Sequence, residues 1–191
     1  MIIAMTRKVV AIYGRRGAGK DTLAETFVRE GWAHEKFSAP LKDAVAALFS
    51  LSADQIHGRP DLGADDPREL PSAWGPTPRR ILQHVGTELF QHALAPLLPE
   101  VGRAFWARSL VQRVAASADE RPVVISDMRF PHELAELRAA GWDVTAVLVR
   151  RGSCAPDAHG SETEMDAIVP DRIVDNCGTA ADMARIAKQY A

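Results

Sequence analysis

The chain of 191 residues predicts an α/β fold. Its expected form is a three-layer sandwich, a parallel sheet of about five strands with helices on both faces and a small lid. Three observations predict it. Short apolar runs of strand length alternate with longer segments at helical spacing. Several of those runs are apolar throughout, as strands buried on both faces are. The first run passes directly into a glycine-rich turn that opens a helix.

That first run is Val9-Val10-Ala11-Ile12-Tyr13, and the turn is Gly14-Arg15-Arg16-Gly17-Ala18-Gly19-Lys20-Asp21-Thr22. Leu23, Phe27 and Val28 then recur at helical spacing until Gly31, which suits a helix C-cap. Residues 34–38 read as a second strand. Ser38 and Pro40 suit the N-cap and first turn of a helix carrying Leu41, Val45, Leu48 and Phe49. Ser52 and Gln55 have capping-box spacing. From Gly58 to Pro76 the composition is that of a surface loop that orders with substrate. Thr77 and Pro78 open a helix whose apolar stripe is Ile81, Leu82, Val85 and Leu89, and another helix covers Phe105 to Val114. Pro122 to Asp127 is the third strand, Pro131 to Ala140 a helix stopped by Gly141, and Val144 to Val149 the fourth strand. Arg150 to Gly160 has loop composition. Arg172-Ile173-Val174 is the fifth strand, and a final helix carries Met183, Ile186 and Ala187.

The turn carries the chemistry. Gly14, Gly19 and Lys20 fit the spacing G-x4-G-K of a phosphate-binding loop. Glycine lets backbone N–H groups turn inward around phosphate oxygens, and the following helix N-terminus adds free donors. Lys20 reaches the β- and γ-phosphates in such a loop. Asp21 stands where Ser or Thr usually supplies a hydroxyl to Mg²⁺, and Thr22 comes one residue late. A carboxylate there repels polyphosphate unless a cation lies between them. Asp21 therefore reads either as a contact to metal or metal-bound water, or as an acid favouring the helix's first turn.

Composition narrows the class. With 47% hydrophobic residues the chain can bury a full core, and a formal charge of −2 argues against a protein that coats nucleic acid. Cys154 and Cys177 have no CxxC spacing and suggest no disulfide framework, which fits a reducing cytoplasm. No apolar run approaches the ~20 residues of a membrane span. The stretch Met1 to Met5 is too short for the apolar core of a signal peptide.

In an open parallel sheet ligands bind beyond the carboxyl ends of the strands, and Gly14, Asp127 and Arg150 all stand at such ends. Asp127 reads as the metal-linked acid of a phosphate-loop enzyme or as a strand-end turn residue, and Arg129 is two residues beyond. Arg150 and Arg151 head the lid, where a guanidinium can neutralise a moving phosphoryl group, or they form a solvated pair. Lys42, Arg79 and Gln83 are candidates for an acceptor's phosphate and base. Trp106 can stack on a base or fill the core. His159 lies in the lid beside Ser161 and Glu162.

Taken together these stretches resemble a family, the phage-type deoxynucleoside monophosphate kinases of the P-loop nucleoside monophosphate kinase group. The resemblance is carried by Gly17-Ala18-Gly19-Lys20-Asp21-Thr22, by Phe37 to Lys42, and by Thr77-Pro78-Arg79 with Gln83 and Gly86-Thr87-Glu88. Ser126 to Pro131, His159 to Glu162 and Asn176 to Thr179 complete it, in the family's order. It implies a P-loop NTPase-type fold and Mg²⁺-dependent transfer of the γ-phosphoryl of ATP to a deoxynucleoside monophosphate. It implies that Gly14, Gly17, Ala18, Gly19 and Lys20 hold ATP phosphates, with Asn176 and Gly178 near the adenine. Arg15 and Arg16 depart from the family in making the loop unusually basic, and Arg16 reads as meeting either a phosphate or a neighbouring carboxylate. The resemblance places Asp21, Thr22 and Asp127 on the metal side, Arg150 or Arg151 on the lid, and Lys42, Arg79 and Gln83 on the acceptor. Read from the residues themselves, Arg129 is a candidate for the moving phosphoryl and Trp106 and Glu162 for the acceptor. One P-loop kinase domain is expected over 1–191, with 39–116 binding the acceptor and 150–165 as lid. The implied setting is cytoplasmic, the host's if the chain is phage-encoded, and relatives in that family are often homodimers. Two other functions fit the same loop: phosphorylation of another acceptor, such as a base in DNA or dephospho-coenzyme A, and a non-catalytic nucleotide switch.

Overall fold

The computed structural model describes residues 6–152, 164–176 and 180–188. Two compact units are formed, one by Met1–Phe37 with Trp106–Ala191, the other by Ser38–Phe105.

The first unit is built on five strands. They are β1 (Lys8–Tyr13), β2 (Ala33–Glu35), β3 (Val123–Ile125), β4 (Asp143–Arg150) and β5 (Arg172–Asp175), in the order β2-β3-β1-β4-β5. Every pairing is parallel, with Val9 beside Val123 and Val144, and Arg150 beside Asp175. Parallel pairing brings all the carboxyl ends to one edge. The chain runs from β1 out to β2, back through β3, and crosses to β4 on β1's other side, which places β1 at the reversal where open sheets bind ligands.

Both faces of β1 are covered. Val10 and Ile12 pack with Leu23, Ala24 and Phe27 of α1 (Lys20–Arg29) and with Met183 of the last described helix. Val9, Ala11 and Tyr13, on the other face, are equally buried. This explains why β1 reads as apolar at every position rather than alternating. Gly31, at φ 89°, ends α1 and returns Trp32 onto Phe27, the rings edge-on at 5.0 Å. The strand expected over 34–38 stops at Glu35 instead. The Lys36 carbonyl accepts from Arg113 Nη2 at 3.1 Å and the Phe37 N–H donates to Asp127 Oδ1 at 2.9 Å, so side chains take over where the ladder ends.

The second unit is helical. It contains α2 (Ala39–Phe49), α3 (Ala53–His57) and α4 (Pro78–Gln83), around Val45, Ile56, Ile81 and Leu82. Ser52 and Gln55 form the expected capping box, and Thr77 Oγ1 accepts from the Arg80 N–H. Ser38 occupies the N-cap of α2 but has helical backbone angles and makes no side-chain cap bond. The helix opened by Thr77 does not stay α-helical to Leu89. It becomes π-helical over His84–Ala93, which shifts the apolar stripe and leaves Leu89 exposed. Gly86 lies in that run because a Cβ there would stand 2.7 Å from Leu41 Cδ2. The 58–76 segment is organised by buried Asp66, whose Oδ1 accepts from the Arg59 and Arg68 N–H groups. Trp74 anchors its far end, donating to the Phe49 carbonyl at 2.9 Å.

Among the described residues, three further α-helices belong to the 106–191 part of the chain or enter it: α5 (Phe105–Ala116), α6 (Pro131–Ala139) and α7 (Ala180–Ala187). No helix among the described residues is long and apolar enough to cross a membrane.

Candidate functional site

The turn after β1 is shaped by three left-handed glycines, Gly14 (φ 144°), Gly17 (φ 79°) and Gly19 (φ 100°). Only glycine adopts these angles without strain. Two of them are also pressed against the sheet. A Cβ at Gly14 would stand 2.2 Å from the Val149 carbonyl oxygen, and one at Gly19 would stand 2.4 Å from Asn176 Nδ2. At Gly17 nothing lies within 4 Å, so that glycine answers to conformation alone. Ala18, between them, is buried, and its carbonyl accepts from Asn176 Nδ2 at 2.8 Å. The side chain of Asn176, buried beyond the end of β5, is thus turned onto the loop backbone.

Lys20 bends back over this loop. Its Nζ donates to the Gly14 carbonyl at 2.7 Å and the Arg15 carbonyl at 2.9 Å. Three arginines lie on or against the same loop. Arg15 pairs with Asp166 at 3.4 Å, Arg151 Nη1 lies 3.4 Å from the Gly17 carbonyl, and Arg16 is exposed on the loop. Arg150 behaves differently. Its guanidinium grips Asp175 through Nε at 2.9 Å and Nη2 at 3.0 Å, across neighbouring strands.

Asp21, in the first turn of α1, is the hub of a polar chain. Its Oδ1 accepts from Lys36 Nζ at 2.8 Å and from Ser126 Oγ at 2.9 Å. Having donated its one proton to Asp21, the Ser126 hydroxyl accepts from His34 Nε2 at 2.9 Å. Burial opposes ionisation of Asp21, but the hydrogen bond and charge of Lys36, with Ser126 and Lys20, outweigh it and hold the carboxyl below its ordinary range. Burial and the Lys36 charge push His34 below its usual value, against the pull of Asp21, Asp127 and Glu35.

Asp127 follows β3 and accepts from the Phe37 N–H. The turn after it is held by Glu133, which is buried and accepts from the Arg129 N–H at 2.7 Å and the Phe130 N–H at 3.0 Å. Burial pushes the Glu133 carboxyl up to about 8; those bonds oppose the shift and the charge of Asp127 adds to it. Arg129 itself is exposed.

The donors near the loop fit Mg²⁺. Asp21, Asp127 and the Thr22 hydroxyl offer hard oxygens only. Among the described residues no three His, Cys, Asp or Glu side chains could hold a metal unaided. One or two carboxylates, with the remaining positions filled by substrate phosphates and water, is how Mg²⁺ is bound in phosphoryl-transfer sites.

In the second unit α2 packs against α4, so Lys42, in the first turn of α2, and Arg79 and Gln83 of α4 lie on neighbouring helices. Arg79 Nε donates to Glu69 Oε1 at 2.6 Å. Trp106 belongs to the first unit and is buried, 8% exposed. Glu162, Gly178, His159 and both cysteines lie outside the described residues, as does most of 150–165.

Sequence reasoning did not single out Lys36, His34 or Glu133. The strand expected over 34–38 contained Lys36 and hid it; the strand ends at Glu35, which is what brings Lys36 to the carboxyl edge. Glu133 had a weak signal, an acid at the third position of a helix.

A family model for deoxynucleotide monophosphate kinase matches residues 73–186. A protein of Acanthamoeba polyphaga mimivirus with the provisional name deoxynucleotide monophosphate kinase is 32% identical over 170 residues, covering 84% of this chain and 83% of that one. Similar solved structures include an unliganded sugar kinase from Janibacter sp., at 18% identity and a TM-score of 0.48, covering 97% of this chain and 94% of that one. An APS kinase from Mycobacterium tuberculosis, solved with AMPPNP and APS, is 16% identical with a TM-score of 0.48, covering 97% and 98%.

Proposed function

We propose, from the premise that the chain belongs to the deoxynucleotide monophosphate kinase family, that it transfers the γ-phosphoryl of ATP to a deoxynucleoside monophosphate to give the diphosphate. The observation that carries this reading is the loop of residues 14–20. Three left-handed glycines turn its backbone, Asn176 and the Val149 carbonyl pack it in place, and Lys20 lies at its mouth.

In this reading loop amides between residues 15 and 20, other than that of Ala18, which donates to the Arg15 carbonyl at 3.1 Å, bind the β- and γ-phosphates together with the α1 N-terminus. Lys20 exchanges its two carbonyl partners for phosphate oxygens, and Arg16 adds positive charge to the same loop. Mg²⁺, when bound, neutralises polyphosphate charge, with Asp21, Thr22 and Asp127 supplying or orienting its oxygen ligands. Arg151, beside the Gly17 carbonyl, is the better placed of the two lid arginines to meet charge developing on the transferred group. Arg129 is a further cation beyond β3. Lys42, Arg79 and Gln83 bind the acceptor, Arg79 through its guanidinium fork.

The experiment is an acceptor screen. ADP release is measured with ATP, MgCl₂ and each common deoxynucleoside and ribonucleoside monophosphate in turn. At least one deoxynucleoside monophosphate should raise ADP well above the no-acceptor rate, and Lys20→Ala should return it to background. Background rates with the whole panel would refute the proposed acceptor class.

A further inference from the structure

Asp21 poses a charge problem that the metal solves only while it is bound. The carboxylate adjoins Lys20 in a turn read here as a polyphosphate site, so it repels the ligand whenever no cation stands between them. A cation is already in place. Lys36 Nζ lies 2.8 Å from Asp21 Oδ1.

The placement of Lys36 is built from both sides. Its carbonyl is held by Arg113 Nη2 at 3.1 Å, and Arg113 is braced by Glu35 through Nη1 at 3.0 Å. The next N–H, that of Phe37, is held by Asp127 Oδ1 at 2.9 Å. The lysine stem therefore starts from a pinned backbone, and Ser126 fixes the carboxylate it meets. A half-exposed ion pair contributes little to folding. So much fixed geometry around one such pair calls for another use.

We propose that Lys36 is the resident counter-cation of the phosphate loop: its ammonium neutralises Asp21 when nucleotide binds without a divalent cation, so that the loop accepts metal-free ATP. The charge balance of the loop then does not depend on a bound metal. This charge comes from beyond β2 rather than from the loop, whose own Lys20 is turned onto the Gly14 and Arg15 carbonyls. This inference rests on the reading of the loop as an ATP site, though not on the identity of the acceptor.

The test is calorimetric binding of ATP to the full chain, in EDTA and in excess MgCl₂. Lys36→Met should weaken ATP about tenfold in EDTA and less than about threefold with MgCl₂. Lys36→Arg, which keeps the charge, should stay within about threefold of wild type in both buffers. Adding Asp21→Asn to Lys36→Met should restore most of the affinity lost in EDTA, because the repelling charge is gone. Equal losses in both buffers, no loss in EDTA, or a double variant as weak as the single one would overturn the proposal. So would a wild-type chain that binds ATP only with Mg²⁺. A wild-type chain that binds ATP but phosphorylates no deoxynucleoside monophosphate would refute the acceptor class and leave this contrast readable. A chain that binds no ATP at all sinks both.

Discussion

The side-chain amide of Asn176 donates to the Ala18 carbonyl at 2.8 Å, tying the end of β5 to the middle of the glycine-rich loop. The bond is buried, and the same nitrogen fills the space that a Cβ at Gly19 would need. Asn176→Ala leaves a buried carbonyl without its donor, which costs roughly 1–3 kcal/mol. Urea unfolding should show that loss. ATP titration should show weaker binding by about tenfold, while acceptor KM stays near wild type. Unchanged ATP affinity would mean that Asn176 does not shape the loop.

The glycines of the loop should respond unequally to alanine. Gly14→Ala meets both a left-handed φ and the Val149 carbonyl, and should cost roughly 3 kcal/mol or more, as strain and overpacking add. Gly17→Ala meets only the backbone penalty, about 1 kcal/mol. Thermal melts of the two variants side by side check this order. Equal destabilisation would contradict the packing described for Gly14.

Glu133 makes stability depend on pH in a definite direction. Its folded pKa, about 8, lies above the ordinary value of 4.5. Between those values the native state keeps a proton that the unfolded chain has lost. Its favourable contribution is therefore full below about pH 4.5 and is lost as pH rises to about 8, with a slope of up to about 1.4 kcal/mol per unit. Glu133→Gln keeps an acceptor for the Arg129 and Phe130 N–H groups and removes the titration. It should match wild type near pH 4.5 and exceed it by roughly 2–4 kcal/mol at pH 8.5. Parallel pH profiles from urea unfolding would overturn the assignment.

Arg150 and Arg151 are expected to separate. Arg150 is held by Asp175 in an exposed pair, so Arg150→Ala should change stability by less than about 1 kcal/mol and kcat only slightly. Arg151→Ala should lower kcat by roughly a hundredfold with ATP binding nearly unchanged, if its guanidinium meets the transferred phosphoryl. Steady-state kinetics on both variants distinguish the two. A larger kcat loss for Arg150 would reverse the assignment.

Arg79 is predicted to act on the acceptor. Arg79→Lys loses the planar fork and should raise acceptor KM by roughly tenfold, with ATP KM within about twofold. Glu69, which holds that fork, should when replaced by Gln raise acceptor KM less than Arg79→Lys does. Equal rises in both substrates' KM would place Arg79 outside the acceptor site.

The family was readable because its motifs are local in sequence. The strand, the turn and α1 are set by neighbours within a few residues, and the strand-end rule placed Asp127 and Arg150 on the ligand-binding edge. The capping box at Ser52 and the cap at Thr77 are local for the same reason. Ser38 was not, since whether an N-cap hydroxyl bonds its helix depends on the backbone angles the surrounding fold imposes. Nor was the π-helical run after Gln83, because its apolar spacing is that of an ordinary helix.

What the sequence determined by itself was the order of elements, the parallel sheet, the glycine-rich loop and the chemical class, because periodicity and turn residues act over a few positions. The tertiary structure decided which side chains meet at the edge of that sheet. It set Lys36 on Asp21, Asn176 on Ala18 and Arg150 on Asp175, pairs separated by 15, 158 and 25 residues along the chain. Such contacts follow from strand order and register, which bring distant carboxyl ends together, and no local pattern encodes them.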